Sequence, residues 1–208
     1  DAVDALCGGS RRVKRNWMAT DACGNTSSAV QTILIRDTTA PELICPPDVT
    51  LECPADTSPE RTGVAQGRDT CGTAAISFAD EVTPGCGGSK TIRRRWLARD
   101  ECGNETSRIQ TILVHDTRPP AIVCPQDVLL ECPADTRTNR TGIATAQDEC
   151  SKVSIRYSDA IADECANTKV IRRTWTATDE CNNSASGVQT ITVRDTAPPS
   201  LICPADII

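Results

Sequence analysis

The feature that most constrains this chain is a 79-residue period that every tryptophan and every cysteine follows. The three tryptophans keep this period, at Trp17, Trp96 and Trp175. The 13 cysteines form five families at the same spacing: Cys7, Cys86 and Cys165; Cys23, Cys102 and Cys181; Cys45, Cys124 and Cys203; Cys53 and Cys132; Cys71 and Cys150. A fixed period without insertions indicates a tandem array of similar units that pack regularly on their neighbours.

The composition favours small cores stabilised by disulfides. Leu, Ile, Val and Phe make up only about 19% of the residues, a low share for a globular chain. Thirteen cysteines in such a chain indicate an oxidising compartment, so we expect an extracellular or cell-surface location. The net charge of −6 argues against nucleic-acid binding. No run of 18 apolar residues is present, so no membrane span is predicted.

Each repeat shows the period-two alternation of β-strands. In residues 90–100, KTIRRRWLARD, every second residue from Ile92 to Ala98 lies on one face. Residues 105–115 alternate in the same way, with Ile112 and Val114 on one face. Turn residues separate these runs, and no segment has a helical period. The pattern predicts an all-β fold of small antiparallel sandwiches.

Two segments carry a resemblance to a known family. They are DTTAPELICPPDVTLECPAD at 37–56 and RRTWTATDECNNSASGVQTITVRDTAPP at 172–199. They resemble hyalin-type (HYR-like) repeats, which are immunoglobulin-like sandwiches found in tandem in secreted and surface proteins. The resemblance implies tandem immunoglobulin-like β-sandwich repeats in a linear array, with no catalytic residues. Many such repeats carry a further cysteine early in the last strand, where this chain has Ala29, Arg108 and Gly187.

Stiff Pro-bearing linkers set the predicted boundaries. The sequences DTTAP, DTRPP and DTAPP begin at Asp37, Asp116 and Asp195. We expect a C-terminal part of a repeat at 1–38, complete repeats at 39–117 and 118–196, and the start of a further repeat at 197–208. Because the terminal segments supply only some strands of a sandwich, we expect more repeats along the chain, or strands donated between subunits, to complete them.

The pairing of the cysteines is predicted from their positions in such a sandwich. Cys71 and Cys102 are expected at one end of the repeat, and Cys53 and Cys86 at the other. A Cys53–Cys71 bond would span a strand of about 30 Å, whereas a disulfide needs Cα atoms within about 7 Å; that pairing stays open where the intervening chain doubles back. The predicted bonds are Cys53–Cys86, Cys71–Cys102, Cys132–Cys165 and Cys150–Cys181, which leave Cys45, Cys124 and Cys203 unpaired.

An arginine stands two residues before each tryptophan, at Arg15, Arg94 and Arg173. An aspartate recurs on the inward face of the preceding strand, at Asp1, Asp80 and Asp159. Because an unpaired buried charge is very costly, an inward arginine needs a partner. The sequence therefore predicts a core Arg–Asp pair beside each tryptophan, in preference to an anion-binding surface.

Metal and catalytic sites have little support in the sequence. There is no C-x-x-C pair and only one histidine, which argues against zinc, and no cofactor is predicted. His115 has Arg36 and Arg194 as repeat equivalents and no nucleophile motif around it, so it is read as a surface residue and the chain as a non-enzyme. Calcium binding is supported only by aspartates in the linkers and turns, because the sequence contains no D-x-D-x-D-G loop. These are Asp37, Asp116 and Asp195, with Asp21, Asp100 and Asp179.

Four N-x-S/T sequons are candidate glycosylation sites, at Asn25, Asn104, Asn139 and Asn182. The alternative is that Gly-Asn suits a tight hairpin turn.

The sequence thus predicts a structural extracellular protein that forms the shaft of a surface filament or fibre. Its expected partners are neighbouring repeats, copies of itself and glycans. One alternative is an adhesin stalk or glycan- or protein-binding module, which an exposed aromatic platform or loops that differ between repeats would favour. A second is a set of accessory repeats in a larger secreted enzyme.

Overall fold

The computed structural model describes residues 1–164 and 168–203, and it is built almost entirely of β-strands. Cys165 and the last five residues of the predicted 197–208 segment lie outside the described residues. The elements are β1 (Ala2–Ala5), β2 (Arg11–Thr20), β3 (Thr26–Ile35), β4 (Glu42–Ile44), β5 (Val49–Glu52), α1 (Pro59–Thr62), β6 (Gln66–Arg68), β7 (Ala74–Pro84), β8 (Lys90–Asp100), β9 (Glu105–His115), β10 (Ala121–Val123), β11 (Val128–Glu131), α2 (Thr138–Thr141), β12 (Thr145–Gln147), β13 (Ser154–Asp163), β14 (Lys169–Thr178) and β15 (Ser184–Arg194).

The strands form the same pair of sheets twice. A four-stranded sheet in the order β5-β9-β8-β7 accompanies a two-stranded sheet of β4 and β6. The order β11-β15-β14-β13 with β10 and β12 repeats this arrangement, and β1, β2 and β3 form a three-stranded sheet. Within the second large sheet β11 runs parallel to β15. The all-β prediction is confirmed, whereas the helical turns α1 and α2 were not expected, because four residues are too few to show a helical period.

The core lies on the inward face of β8 and of its equivalent β14. Along β8 the inward residues Ile92, Trp96 and Ala98 are between 0% and 3% exposed, as the alternation predicted. Trp96 and Ala98 pack with Leu43 of β4 and with Ala65. Burial of this face supplies the hydrophobic stabilisation of the sandwich.

The chain divides into two compact units. The first comprises 1–51, 55–85 and 90–115, and the second comprises 52–54, 86–89 and 116–208. Each unit therefore contains a contact between residues of successive repeats. The boundaries at 38/39, 117/118 and 196/197 stay predictions.

Trp17 departs from the predicted core. It is 56% exposed, compared with 2% for Trp96 and Trp175. It lies on the three-stranded sheet, and the described residues provide no equivalent of β4 and β6 to cover it. The prediction that Trp17 is a core residue is therefore wrong for this structure.

Candidate functional site: the junctions between repeats

The predicted Arg–Asp pair is present beside each tryptophan. Arg94 donates from Nε and Nη2 to the two carboxylate oxygens of Asp80, both at 2.8 Å. Nη1 donates to Thr62 Oγ1, and Nη2 makes a second hydrogen bond to the carbonyl of Thr57, both at 2.9 Å. With a side chain only 3% exposed and all three nitrogens engaged in hydrogen bonds, Arg94 is a structural core residue.

The other two pairs differ in burial. Arg173 makes the same contacts with Asp159, and that hydrogen bond raises the pKa of the guanidinium despite the opposing effect of burial. Arg15 pairs with Asp1 at 2.9 Å, but both side chains are about 40% exposed. The prediction that Arg15 and Asp1 are core residues is therefore wrong, because nothing among the described residues covers this pair or the neighbouring Trp17.

A buried glutamine was missed by the sequence analysis. Gln110 is 0% exposed, accepts a hydrogen bond from Trp96 Nε1 at 3.2 Å, and donates to the carbonyls of Thr62 and Pro47. The signal was the recurrence of Gln-Thr with the period of the repeat, at Gln31, Gln110 and Gln189.

The disulfides connect one repeat to the next, so the predicted pairing is wrong. Cys7 bonds Cys102, Cys53 bonds Cys150 and Cys86 bonds Cys181, with Cα–Cα distances of 5.0, 5.8 and 5.0 Å. These bonds replace the predicted Cys53–Cys86, Cys71–Cys102 and Cys150–Cys181. Cys71 and Cys132 have no disulfide to a described residue, and the predicted partner of Cys132 is the undescribed Cys165.

The error has a simple geometric cause. Cys53 and Cys86 do lie at the same end, because a Cβ on Gly88, two residues after Cys86, would come within 2.6 Å of Cys53 Sγ. Cys71 likewise lies against the turn that holds Cys7, the partner of Cys102. In a tandem array, one end of a repeat meets the opposite end of its neighbour. Each cysteine therefore finds its partner across the junction and not beside it.

Paired glycines make the close approach at the junctions possible. The turn containing Cys86 continues with Gly87 and Gly88, and Gly87 has a φ of +53° that disfavours other residues. A Cβ at Gly87 would come within 2.5 Å of Ser151. The turn at Cys7 has the same Cys-Gly-Gly sequence.

An acidic cluster lies at each junction. Oxygens of Asp37, Asp69 and Asp100 lie within 4.8 Å of one another, and at the second junction Asp116, Asp148 and Sγ of Cys150 do so. Cys150 is bonded to Cys53, so its sulfur is no thiolate ligand.

The turn aspartates of the clusters are held by their own backbone. Asp100 accepts hydrogen bonds from the N–H groups of Cys102 and Asn104, both at 2.8 Å, and from Asn104 Nδ2 at 2.7 Å. Burial acts to raise the pKa of Asp100, but these hydrogen bonds outweigh it and lower the pKa. Asn104 Nδ2 also donates to the carbonyl of Asp37, at 3.4 Å, which ties the turn to the linker.

Asp116 has no such partners. It is 6% exposed, and neither carboxylate oxygen accepts a hydrogen bond from a described residue. Burial raises its pKa, and the charges of Asp148 and Asp179 raise it further. The Ser151 side chain and the Arg118 N–H oppose this shift without reaching hydrogen-bond geometry. A buried, unpaired carboxylate is costly and calls for an explanation.

The junctions bring together only some of the aspartates considered for calcium. Asp37 joins Asp100, and Asp116 lies close enough to Asp179 for the charge of Asp179 to raise its pKa. Asp21 and Asp195 are exposed and belong to neither cluster. Asp69 and Asp148 were missed, although each stands two residues before a repeated cysteine.

The asparagines of the four sequons differ in their hydrogen bonds and exposure. Nδ2 of Asn25 and of Asn104 donates to a turn aspartate, Asp21 and Asp100 respectively, as the alternative interpretation of Gly-Asn as a turn signal predicted. Asn182 is exposed, with a φ of +68°, and occupies the place that Gly103 takes in the preceding repeat. Asn139 is exposed on α2.

The remaining predicted site residues are on or near the surface. His115 is exposed at the end of β9. Cys45, Cys124 and Cys203 form no disulfide to a described residue. A Cβ at Gly187, one of the positions where related repeats carry a further cysteine, would collide with Cys124 Sγ.

Comparison with known proteins gives a distant likeness. No family model matches the chain, and no curated protein sequence matches it. Among solved structures, the protocadherin gammaB7 EC3-6 cis-dimer is 14% identical with a TM-score of 0.35, covering 90% of this chain and 58% of that one. Mouse clustered PcdhgC3 EC1-3 is 14% identical with a TM-score of 0.34, covering 92% and 79%. The human desmocollin-1 ectodomain is 14% identical with a TM-score of 0.30, covering 90% and 48%.

The chain spans a little over half the length of the first of these structures. Within the described residues, no helix has the length and apolar character needed to cross a bilayer.

Proposed function

We propose that this chain is a non-enzymatic, extracellular structural protein that forms the shaft of a filament or stalk. The observation that carries the proposal is that its three described disulfides join successive repeats, at sequence separations of 95, 97 and 95 residues. A bond within a repeat would stabilise only that repeat. A bond between repeats also fixes the junction and transmits tension from one repeat to the next.

The overlapping disulfides create a short covalent route along the chain. From Cys7 the route crosses to Cys102, follows the backbone back to Cys86, and crosses again to Cys181. It therefore uses roughly 16 backbone residues in place of about 174, which at about 3.5 Å per residue limits the extension of the whole segment to roughly 55 Å. That backbone stretch contains β8, an inner strand of its sheet. Between Cys7 and Cys181, load is thus carried by two disulfides and one central strand, while the other strands of that segment are shielded from it.

Disulfides of this kind also support an extracellular or surface location. Structural disulfides persist in oxidising compartments and are reduced in the cytosol. Under cytosolic conditions the covalent route would be lost. A structural role also agrees with the buried pairs Arg94–Asp80 and Arg173–Asp159, in which all three guanidinium nitrogens donate to groups of the chain itself.

Stretching single molecules between the chain ends tests the proposal. Relative to the oxidised chain, Cys86→Ser removes one bond and leaves a longer route through Cys53 and Cys150, so it should add about 61 residues, or roughly 210 Å, to the maximum extension. Full reduction should add about 158 residues, or roughly 550 Å. Cys203→Ser, which replaces an exposed free cysteine, is the matched control and should leave the oxidised length unchanged.

An oxidised chain that extends as far as the reduced one contradicts a covalent route. Electron microscopy of the native oxidised material tests the filament itself. Filaments with an axial repeat support a shaft, whereas a dispersed particle of 22.2 kDa contradicts it.

A further inference from the structure

We propose that the acidic cluster at each junction binds a calcium ion, which fixes the linker of one repeat to the turns of the next. The inference is independent of the filament proposal, because it concerns an ion site in the isolated chain. Three observations carry it: the unpartnered Asp116, the recurrence of the cluster in successive repeats, and the chemistry of the donors.

Asp116 is the strongest of these observations. Its carboxylate is buried, has no hydrogen-bond partner among the described residues, and lies with an oxygen within 4.8 Å of Asp148. Two carboxylates at such a distance repel each other unless a cation or a proton lies between them. At the first junction Asp37 Oδ2 is likewise buried without a partner among the described residues, and it faces Asp69 and Asp100.

Equivalent positions form both clusters. Asp37 and Asp116 belong to the linkers, and Asp69 and Asp148 precede the cysteines Cys71 and Cys150. Asp69 and Asp148 each accept a backbone hydrogen bond at 2.8 Å, from the N–H of Cys71 and Cys150 respectively, which fixes the carboxylate in place. Linker and turn belong to successive repeats, so one ion would tie both together.

Space for an ion and its water ligands is present at the second junction. A cavity of about 250 Å³ is lined by residues that include Asp116, Asp148, Gln147 and Arg118. At the first junction a cavity of about 290 Å³ lies beside Asp69, and neither Asp37 nor Asp100 lines it.

The donors select the ion. All available ligands are oxygens, since Cys150 is in a disulfide and no histidine belongs to either cluster. Calcium accepts six to eight oxygens in irregular geometry, including carbonyls and water, whereas magnesium demands a near-ideal octahedron. A site with two or three carboxylates completed by water suits calcium at the millimolar concentrations found outside cells.

Calorimetric titration of the full oxidised chain, first freed of metal with a chelator, tests the proposal. We expect two calcium ions per chain and a higher melting temperature at about 2 mM calcium, because an ion that binds only the folded state stabilises it. Asp148→Asn and Asp69→Asn should each weaken one site at least tenfold and leave the other intact. Each keeps a side-chain oxygen that can accept the backbone hydrogen bond, so the fold is retained.

Asp116→Asn should change the melting temperature in opposite directions without and with calcium. Without calcium the substitution removes a buried, unpaired charge, so the melting temperature should rise above that of the original chain. With calcium the order should reverse, because only the original chain gains from the ion. The control is Glu81→Gln, which replaces an exposed carboxylate of β7 outside both clusters. It should leave the melting temperature unchanged both without and with calcium.

Several results would overturn the inference. They are no calcium uptake, uptake unchanged in both Asp116→Asn and Asp148→Asn, or equal uptake of magnesium. Far-ultraviolet circular dichroism of each variant verifies that a loss of binding is not a loss of fold.

Discussion

The arginine beside each tryptophan shows how one side chain can organise a small core. Arg94 lies 4.7 Å from the ring centre of Phe78, and its nitrogens reach Asp80, Thr62 and the carbonyl of Thr57. It therefore connects β7 and β8 to the segment around α1. Few large apolar residues are available to do this, so a polar network takes over part of their role.

Replacing Arg94 by Met should lower the free energy of unfolding by about 3 kcal/mol, because it leaves the Asp80 carboxylate and two further acceptors without their donor. Arg15→Met is the matched control. Its pair with Asp1 is half-exposed, so the cost should stay below about 1 kcal/mol. Urea unfolding of the oxidised chains measures both. Equal losses for the two substitutions would show that burial does not determine the value of the pair.

Single residues were also where the sequence was most informative. The two-residue spacing between arginine and tryptophan, together with the recurring aspartate, was sufficient to predict the buried Arg–Asp pairs. The buried Gln110 was not predicted, because a glutamine on an inward face looks the same as one on a solvated face until its partners are known. That Asp116 is buried without a partner among the described residues was not visible for the same reason.

At the scale of elements, alternation was sufficient to place the long strands, but it did not reveal that the segment from Glu42 to Glu52 is interrupted. It is divided into β4 and β5, which belong to different sheets. The interruption falls at residues 45–48, where Pro46 and Pro47 lack the N–H groups that a sheet requires. The break brings Cys45, and Cys124 in the next repeat, close to the last strand.

The last strand provides a test of this placement. Gly187→Cys on β15 puts a sulfur beside the free Cys124, where the Cβ of any residue would already touch Cys124 Sγ. We expect a new disulfide between the two cysteines, so the variant should have one free thiol fewer than the original chain, measured by thiol titration and by peptide mapping without reduction. In the Cys124→Ser background the introduced cysteine should stay free. If it also stays free with Cys124 present, the described position of the strand is contradicted.

At the scale of the whole molecule, the 79-residue period predicted a tandem array but not how its members are joined. Positions within a repeat assign each cysteine to an end of that repeat. They do not distinguish a partner at the same end from a partner on the next repeat, because both lie within reach of a disulfide. The observed separations of 95 and 97 residues are longer than one 79-residue period, so the two cysteines of each bond cannot belong to the same repeat.

The same register assigns partners to the cysteines that are free in the described residues. Cys71 is the equivalent of Cys150 and Cys23 of Cys102, and both of those are bonded to the preceding repeat. Cys132 is the equivalent of Cys53, which is bonded to the following repeat. We therefore expect these three cysteines to bond with adjacent repeats, in the same polypeptide or in another copy.

Peptide mapping of native, unreduced material measures this directly. Cys132 should be linked to a peptide with a cysteine of the Cys71 and Cys150 family, and Cys23 to one of the Cys7 and Cys86 family. A bond within the same polypeptide should contribute about 4–5 kcal/mol, as expected for a closed loop near 100 residues. Cys203, whose family has no disulfide in either described repeat, is the internal control and should remain a thiol. If Cys23, Cys71 and Cys132 are also thiols in native material, no disulfide carries tension from the described repeats to a further one, and the expectation fails.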